Sequence, residues 1–325
     1  MTAPVLEIHL SGSAAADALH HDVRVGLTAD PKWLPPKWFY DALGSELFER
    51  ITALPEYYPT RTERELLRRS AGEIAAWAVV DTLVELGSGS SDKTRLLLDA
   101  LTANGSLQRF VPLDVSESAL RSAMTAVARA YPPLVVHGVV GDFTQHLELL
   151  PAGQDGRRLV AFLGGTIGNL LPDERAGFFT ALRTALNPGE LLLLGAGLIT
   201  DPAVMVSAYD DDAGVTAEFN RNVLRVLNRE LGADFEVAAF DHVVVWDTTH
   251  EWIEMRLRAR WAMTVRLPGV RMTVHYAKGE EMRTEVSGKF RREGLGAELV
   301  DAGFADQRWW TDPDNRFALV LAVAV

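Results

Sequence analysis

Apolar and polar positions change rhythm three times along this chain. Between residues 82 and 199, short apolar runs recur with amphipathic stretches between them. The runs predict strands near 82–86, 109–114, 134–140, 158–163 and 190–196, with helices in the intervals. That alternation is the pattern of a doubly wound α/β sheet. Before it, residues 14–27 carry helical apolar spacing, Pro35-Pro36 breaks the chain, and residues 1–60 read as a helical cap. Thr62-Glu-Arg-Glu65 matches a capping box and predicts a helix from there to about Val79.

After Leu198 the alternation stops. Residues 201–232 predict helices and residues 240–276 antiparallel strands. Within the latter, Trp252, Glu254, Arg256, Arg258 and Arg260 alternate with Ile253, Met255, Leu257 and Ala259. The basic positions read as one solvated strand face. Residues 292–325 predict a helix, a short strand and a final apolar strand that rejoin the first sheet. The expected organisation is therefore one domain of residues 61–199 and 290–325, with a second α+β domain of residues 1–60 and 200–289.

The sharpest local signal is Thr82-Leu-Val-Glu-Leu-Gly-Ser-Gly-Ser-Ser-Asp-Lys-Thr94. It predicts a buried strand, a glycine turn and a helix beginning near Lys93, capped by Ser91 or Asp92. Open α/β sheets bind ligands at this edge. A dinucleotide fingerprint needs a third glycine where Asp92 stands, and a P-loop needs one directly before Lys93. Both phosphate readings fail at Asp92, whose charge opposes an anion. A cofactor without phosphate, S-adenosylmethionine, escapes that objection. Gly87 and Gly89 would admit its amino-acid tail. Asp114, ending the strand Phe110-Val-Pro-Leu-Asp114, would take the ribose hydroxyls. Asp142 and Phe143, after the third strand, would hold the adenine. Gly164 and Asn169, in Phe162-Leu-Gly-Gly-Thr-Ile-Gly-Asn169, end the fourth strand at the same edge.

Composition narrows the function class. The 325 residues carry 32 Lys and Arg against 44 Asp and Glu, a net charge of −12, which disfavours a nucleic-acid partner. Cysteine is absent, so disulfide and thiol chemistry are excluded. No basic start followed by an apolar core marks a signal peptide, and the longest apolar run, near 191–199, is short of a membrane span. A cytoplasmic monomer with no membrane partner is expected. Asp210-Asp211-Asp212 is the one acidic run that suggests a metal, but consecutive helical acids diverge, and the eight histidines lack ligand spacing. No metal is expected.

Four segments carry a family resemblance: Leu34-Pro-Pro-Lys-Trp-Phe-Tyr-Asp41, Leu54-Pro-Glu-Tyr-Tyr-Pro-Thr-Arg-Thr-Glu63, Phe162 to Asn169, and Met282-Arg-Thr-Glu-Val-Ser-Gly-Lys-Phe290. They resemble the L-histidine N-alpha-methyltransferases of ergothioneine biosynthesis, and the resemblance spans nearly the whole chain. It implies a Rossmann-like methyltransferase domain, a substrate domain, S-adenosylmethionine as methyl donor, and trimethylation of histidine to hercynine. By that resemblance Gly87, Lys93, Asp114, Asp142 and Phe143 would hold the cofactor. Tyr57, Gly164, Asn169 and Tyr209 would hold the amino and carboxylate end of histidine. Glu285 and Ser287 would read the imidazole, with Met255 and Phe219 as walls. Tyr40 would lie near the methylated nitrogen, and Tyr40 and Asn169 would be the catalytic pair. Gly165 departs from the family, which carries Ser there, and Gly288 stands where a larger residue is usual. Three other readings stay open: another amine acceptor, a non-catalytic S-adenosylmethionine-binding module, and a P-loop enzyme.

Overall fold

The structure, a computed structural model, describes residues 4–10, 12–89, 91–151 and 156–325, apart from the side chain of Asp306. Ser90 of the glycine turn therefore lies outside the described residues. The chain divides into two compact units, one of Met1–Ser11, Pro59–Ile199 and Lys289–Val325, the other of Gly12–Tyr58 and Thr200–Gly288.

The first unit is built on an eight-stranded sheet in the order Val5–Ile8, Val135–Val140, Arg109–Asp114, Thr82–Leu86, Arg158–Phe162, Leu191–Gly197, Phe317–Ala324, Phe304–Thr311. The first six run parallel, Phe317–Ala324 runs against them, and Phe304–Thr311 pairs antiparallel with Phe317–Ala324. All five predicted parallel strands are present within a residue or so of their expected ends. They are continuous apolar runs because helices cover both faces of a parallel sheet. Thr82–Leu86 is buried at every position, with Val84 aligned between Val111 and Val160. The two sides of the sheet carry separate cores, around Phe110, Leu98 and Leu193 on one and around Phe162, Phe179 and Val320 on the other.

Three local expectations are corrected here. Val5–Ile8 is a strand of this sheet, paired in parallel with Val135–Val140, and not part of a helical cap. It is a half-exposed edge strand, so no clean alternation announces it. The helix expected from Thr62 runs over Tyr58–Trp77, starting a turn earlier, with Pro59 in the first turn where a missing N–H is harmless. The helix after the glycine turn is Arg95–Ala103, with Thr94 at its start. Ser91 does not cap it; its hydroxyl is committed to Glu85, 3.0 Å away.

The second unit carries a four-stranded sheet in the order Lys32–Trp33, Glu281–Gly288, Trp252–Ala259, Phe240–Asp247, and a hairpin of Met263–Leu267 and Met272–Tyr276. The helices Gly12–Thr28, Ala42–Thr52, Pro202–Ser207 and Val215–Leu231 accompany them. One core holds Leu27, Phe39, Phe219, Leu224, Phe240, Leu257, Tyr276 and Met282. Asp41 caps Ala42–Thr52 by accepting from the Gly44 amide at 2.8 Å. The strand face expected to be solvated is only partly so. Trp252 and Glu254 are buried, Arg256 bridges Glu254 and Glu281, Arg258 binds Glu281, and Arg260 binds Asp241. Facing acids on the neighbouring strands turn the basic row into a cross-strand ion ladder.

Candidate functional site

In the first unit the candidate residues gather at the carboxyl end of the parallel strands. The turn after Thr82–Leu86 bends sharply: Gly87 and Gly89 take φ of +67° and +49°, a region glycine enters without steric cost. The Gly89 amide donates to Asp114 Oδ2 at 2.8 Å, and the Ser116 amide donates to Asp114 Oδ1 at 2.9 Å. Burial raises the Asp114 carboxyl above the ordinary aspartate range, while the Ser116, Gly89 and Val115 amides pull it back. The Gly89 amide, spent on this carboxylate, is not presented to a phosphate. Each Asp114 oxygen keeps lone-pair capacity for a further donor such as a ribose hydroxyl. Ser88 adds a second sign of a polar ligand. Its buried hydroxyl has no hydrogen-bond partner among the described residues, and such groups call for explanation.

Asp142 is buried and accepts from the Thr144 amide and hydroxyl at 2.8 and 2.6 Å. The adjacent Phe143 ring meets Phe162 and Phe178 at centroid distances of 5.0 and 5.9 Å. It also lies 3.9 Å from where a Cβ on Gly87 would sit. The glycine turn, Asp114 and the Phe143 ring thus share one edge of the sheet. Gly164 and Gly165 follow the strand Arg158–Phe162 with φ of +82° and +70°. The left-handed backbone at Gly165 explains the glycine there, since serine would be strained. Asn169 ends the short 3-10 turn Thr166–Asn169 that follows.

Two acids of this edge were not singled out as site residues. Glu63 is fully buried and binds Lys93 Nζ through one oxygen, while its other oxygen accepts from the Gly164 amide at 2.7 Å. It links two of the candidate residues; its only sequence signal is its place at the end of Leu54–Glu63. A Cβ on Gly195 would come within 2.2 Å of Glu63 Oε1, so glycine makes the space for this carboxylate. Glu85, near the end of the strand Thr82–Leu86, accepts from Ser91 and Thr94. Burial pushes its carboxyl up to about 7, with the Thr94 and Ser91 hydroxyls and Lys93 opposing and Asp114 reinforcing the rise.

In the second unit, Tyr40, Tyr57, Tyr209, Met255, Glu285 and Ser287 cluster. Glu285 and Met255 are directly paired neighbours on adjacent strands, and Ser287 pairs with Ile253 on the same side. The Tyr209 hydroxyl lies 2.6 Å from Ser287 Oγ. The Tyr57 ring meets Tyr209 edge-on at 6.0 Å and Phe48 at 6.3 Å, and Phe219 and Tyr40 extend the aromatic group. Burial raises the Tyr57 phenol well above its usual value, with Tyr209, Tyr40 and Glu285 adding to the rise. Tyr209 is raised as well, by burial and then by the charge of Glu285. Both phenols stay protonated near neutral pH. A carboxylate, a hydroxyl and neutral phenols make a surface that both accepts and donates hydrogen bonds. That suits an imidazole, which carries one donor and one acceptor nitrogen when neutral.

Asp211, in the acidic run Asp210-Asp211-Asp212, accepts from the Val215 and Thr216 amides at 2.9 and 2.8 Å and so caps the helix Val215–Leu231. Among the described residues no helix is long and apolar enough to cross a membrane.

The model of a family described as histidine-specific, S-adenosylmethionine-dependent methyltransferases matches residues 19–324. A histidine N-alpha-methyltransferase of Mycolicibacterium smegmatis is 56% identical over 315 residues, covering 97% of this chain and 98% of that one. One of Mycobacterium tuberculosis is 56% identical over 314 residues, 97% of either chain. Ergothioneine biosynthesis protein 1 of Neurospora crassa is 34% identical over 205 residues, which are 62% of this chain and 23% of that protein.

Proposed function

Because the chain belongs to the histidine-specific, S-adenosylmethionine-dependent methyltransferase family, we propose that it transfers three methyl groups in succession to the alpha-amino nitrogen of L-histidine. The product is hercynine, and the reaction is the first step of ergothioneine biosynthesis. The observation that carries the substrate reading is the paired placement of Glu285 and Ser287, with Tyr209 2.6 Å from the serine hydroxyl.

S-adenosylmethionine, when bound, supplies a methyl group already activated by its sulfonium. Gly87, Lys93, Asp114, Asp142 and Phe143 are assigned to hold it: the glycines admit the tail, Lys93 offers positive charge to its carboxylate, Asp114 accepts from the ribose, and Asp142 and Phe143 take the adenine. Glu285 accepts from one ring nitrogen of histidine and Ser287 serves the other, with Met255 and Phe219 as walls. Tyr57, held neutral by burial, donates to the amino-acid end, and Tyr209, Gly164 and Asn169 are assigned to that same end.

An amine attacks only with its lone pair free, so one proton must leave before each transfer. The neutral buried phenols of Tyr57 and Tyr209 cannot take it near pH 7. Tyr40, 37% exposed, is assigned the place beside the nitrogen, from which the proton reaches water. Asn169 orients the nitrogen through its side-chain amide. Holding the amine in line supplies most of the acceleration, of order 7–11 kcal/mol in favourable cases. As charge on the nitrogen becomes permanent, the faces of Tyr40 and Tyr57 favour the methylated cation by about 0.5–2 kcal/mol each.

Mass spectrometry of the protein incubated with S-adenosylmethionine and the twenty amino acids tests this. A gain of three methyl groups on histidine alone is expected. Methylation of another amino acid would overturn the role given to Glu285 and Ser287, and no product would favour the binding-module reading.

A further inference from the structure

The strand Glu281–Gly288 carries a β-bulge, and its position decides which side chains face inward. Along its pairing with Trp252–Ala259, Met282 aligns with Leu257 and Arg283 with Arg256, but Glu285 aligns with Met255. Thr284 is the extra residue. In an unbroken strand, side chains alternate, so Glu285 would share the face of Arg283. The bulge re-aims the strand. Glu285 and Ser287 therefore join the side of the buried Met282, Met255 and Ile253, while Arg283 stays with Arg256 and Glu254.

The bulge is held by buried polar groups. The Thr284 hydroxyl, on a residue 1% exposed, lies 2.6 Å from Asn220 Oδ1 and 3.0 Å from the Met255 carbonyl. Asn220 is fully buried on the helix Val215–Leu231. Its amide nitrogen reaches His242 Nδ1 at 2.8 Å and the Arg256 carbonyl at 3.1 Å. The far nitrogen of His242 lies 2.9 Å from the backbone carbonyl of Tyr209. A carbonyl only accepts, so Nε2 carries the proton and Nδ1 accepts from Asn220. Burial lowers the His242 pKa, which keeps this neutral tautomer in place. Three strands, a helix and the Tyr209 turn are thus joined through three side chains, none of them among the assigned ligand contacts.

We propose that Thr284, Asn220 and His242 form a specificity-determining clamp, which fixes the bulge beneath Glu285 and the backbone at Tyr209 so that the imidazole-reading groups keep one geometry. They are positioning residues, and the proposal rests on the assignment of Glu285 to the imidazole. An apolar residue could fill the volume at Thr284, but only a hydroxyl supplies the proton that the Asn220 Oδ1 and the Met255 carbonyl both face. A register slip at Thr284 would return Glu285 to the opposite face.

The test compares Thr284→Val, Thr284→Ser, Asn220→Asp and Glu285→Ala in the full chain, measuring KM for histidine and for S-adenosylmethionine separately, and histidine binding by calorimetry. Thr284→Val is expected to raise the histidine KM by roughly tenfold, the loss of the hydroxyl's one donated hydrogen bond, with the S-adenosylmethionine KM within about twofold of the parent. Thr284→Ser restores the histidine KM. Asn220→Asp keeps the acceptor for Thr284 but presents a second acceptor to His242 Nδ1, and is expected to raise the histidine KM selectively even if Thr284→Val does not fold. An unchanged histidine KM in a folded Thr284→Val or Asn220→Asp, or an equal rise in both KM values, would overturn the clamp. Glu285→Ala separates the two ideas. If it leaves histidine affinity intact, the imidazole assignment itself is wrong; if it loses histidine while Thr284→Val and Asn220→Asp keep it, only the clamp is.

Discussion

Ser287 Oγ and the Tyr209 hydroxyl are 2.6 Å apart, both on residues less than a tenth exposed. They are 78 residues apart in the chain, and their meeting joins the last strand of the second unit to the turn after Pro202–Ser207. The pair sits beside the Glu285 carboxylate, whose charge raises the Tyr209 phenol further after burial has raised it. Ser287→Ala removes the hydroxyl that Tyr209 meets. Histidine affinity is expected to fall by about 1–3 kcal/mol, roughly 5- to 150-fold, with cofactor affinity preserved. Calorimetric titration with each ligand checks this, and equal losses for both would refute it.

Glu63→Gln keeps an oxygen for the Gly164 amide but removes the charge facing Lys93. Breaking a buried ion pair from one side leaves the other charge uncompensated, which costs about 3–5 kcal/mol. Lys93 is part-exposed and can turn to water, so the lower end, about 3 kcal/mol, is expected in urea denaturation. A change under about 1 kcal/mol would mean that the pair contributes little.

Glu85 makes stability depend on pH in a definite direction. Its carboxyl is raised from 4.5 to about 7 by burial. Between those values the folded chain holds a proton that the unfolded chain has released, so stability falls as pH rises. The full shift corresponds to about 3 kcal/mol. Glu85→Gln is expected to flatten that fall between pH 4.5 and 7, seen as melting temperatures that decline less with pH than the parent's. An identical slope in both proteins would show that Glu85 ionises in the fold at its ordinary value.

Arg158 and Glu190 form the opposite case. Both are buried and meet through the arginine Nε and Nη2 at 2.7 and 2.6 Å. Burial alone would raise the Glu190 carboxyl, but Arg158 and the Asn187 amide bring it below its ordinary value. The pair therefore stabilises above about pH 4.5, and that contribution is lost as pH falls through the depressed value. Glu190→Ala leaves the guanidinium buried and is expected to cost about 3–5 kcal/mol at pH 7, with the difference from the parent shrinking below pH 4. Denaturation at both pH values decides it.

The sequence by itself determined the parallel sheet and the edge at which its strand-end residues gather. Buried parallel strands must be apolar on both faces, so their runs stand out, and a tight turn after the first demands glycine at positive φ. Asp114, Asp142 and Phe143 follow because in such a sheet whatever ends each strand lies at the same edge. The residues assigned to the acceptor were legible only through family motifs, since Tyr57 and Tyr209 are distant in the chain and carry no shared periodicity. Only the tertiary structure decided what depends on contacts between remote segments. The strand Val5–Ile8 is half-exposed and borrows its pairing from Val135–Val140. Glu63 reads as an ordinary helical acid until Lys93 and Gly164 meet it. The inward face of Glu285 hangs on one extra residue, Thr284, because a side-chain period of two makes a single insertion reverse everything after it.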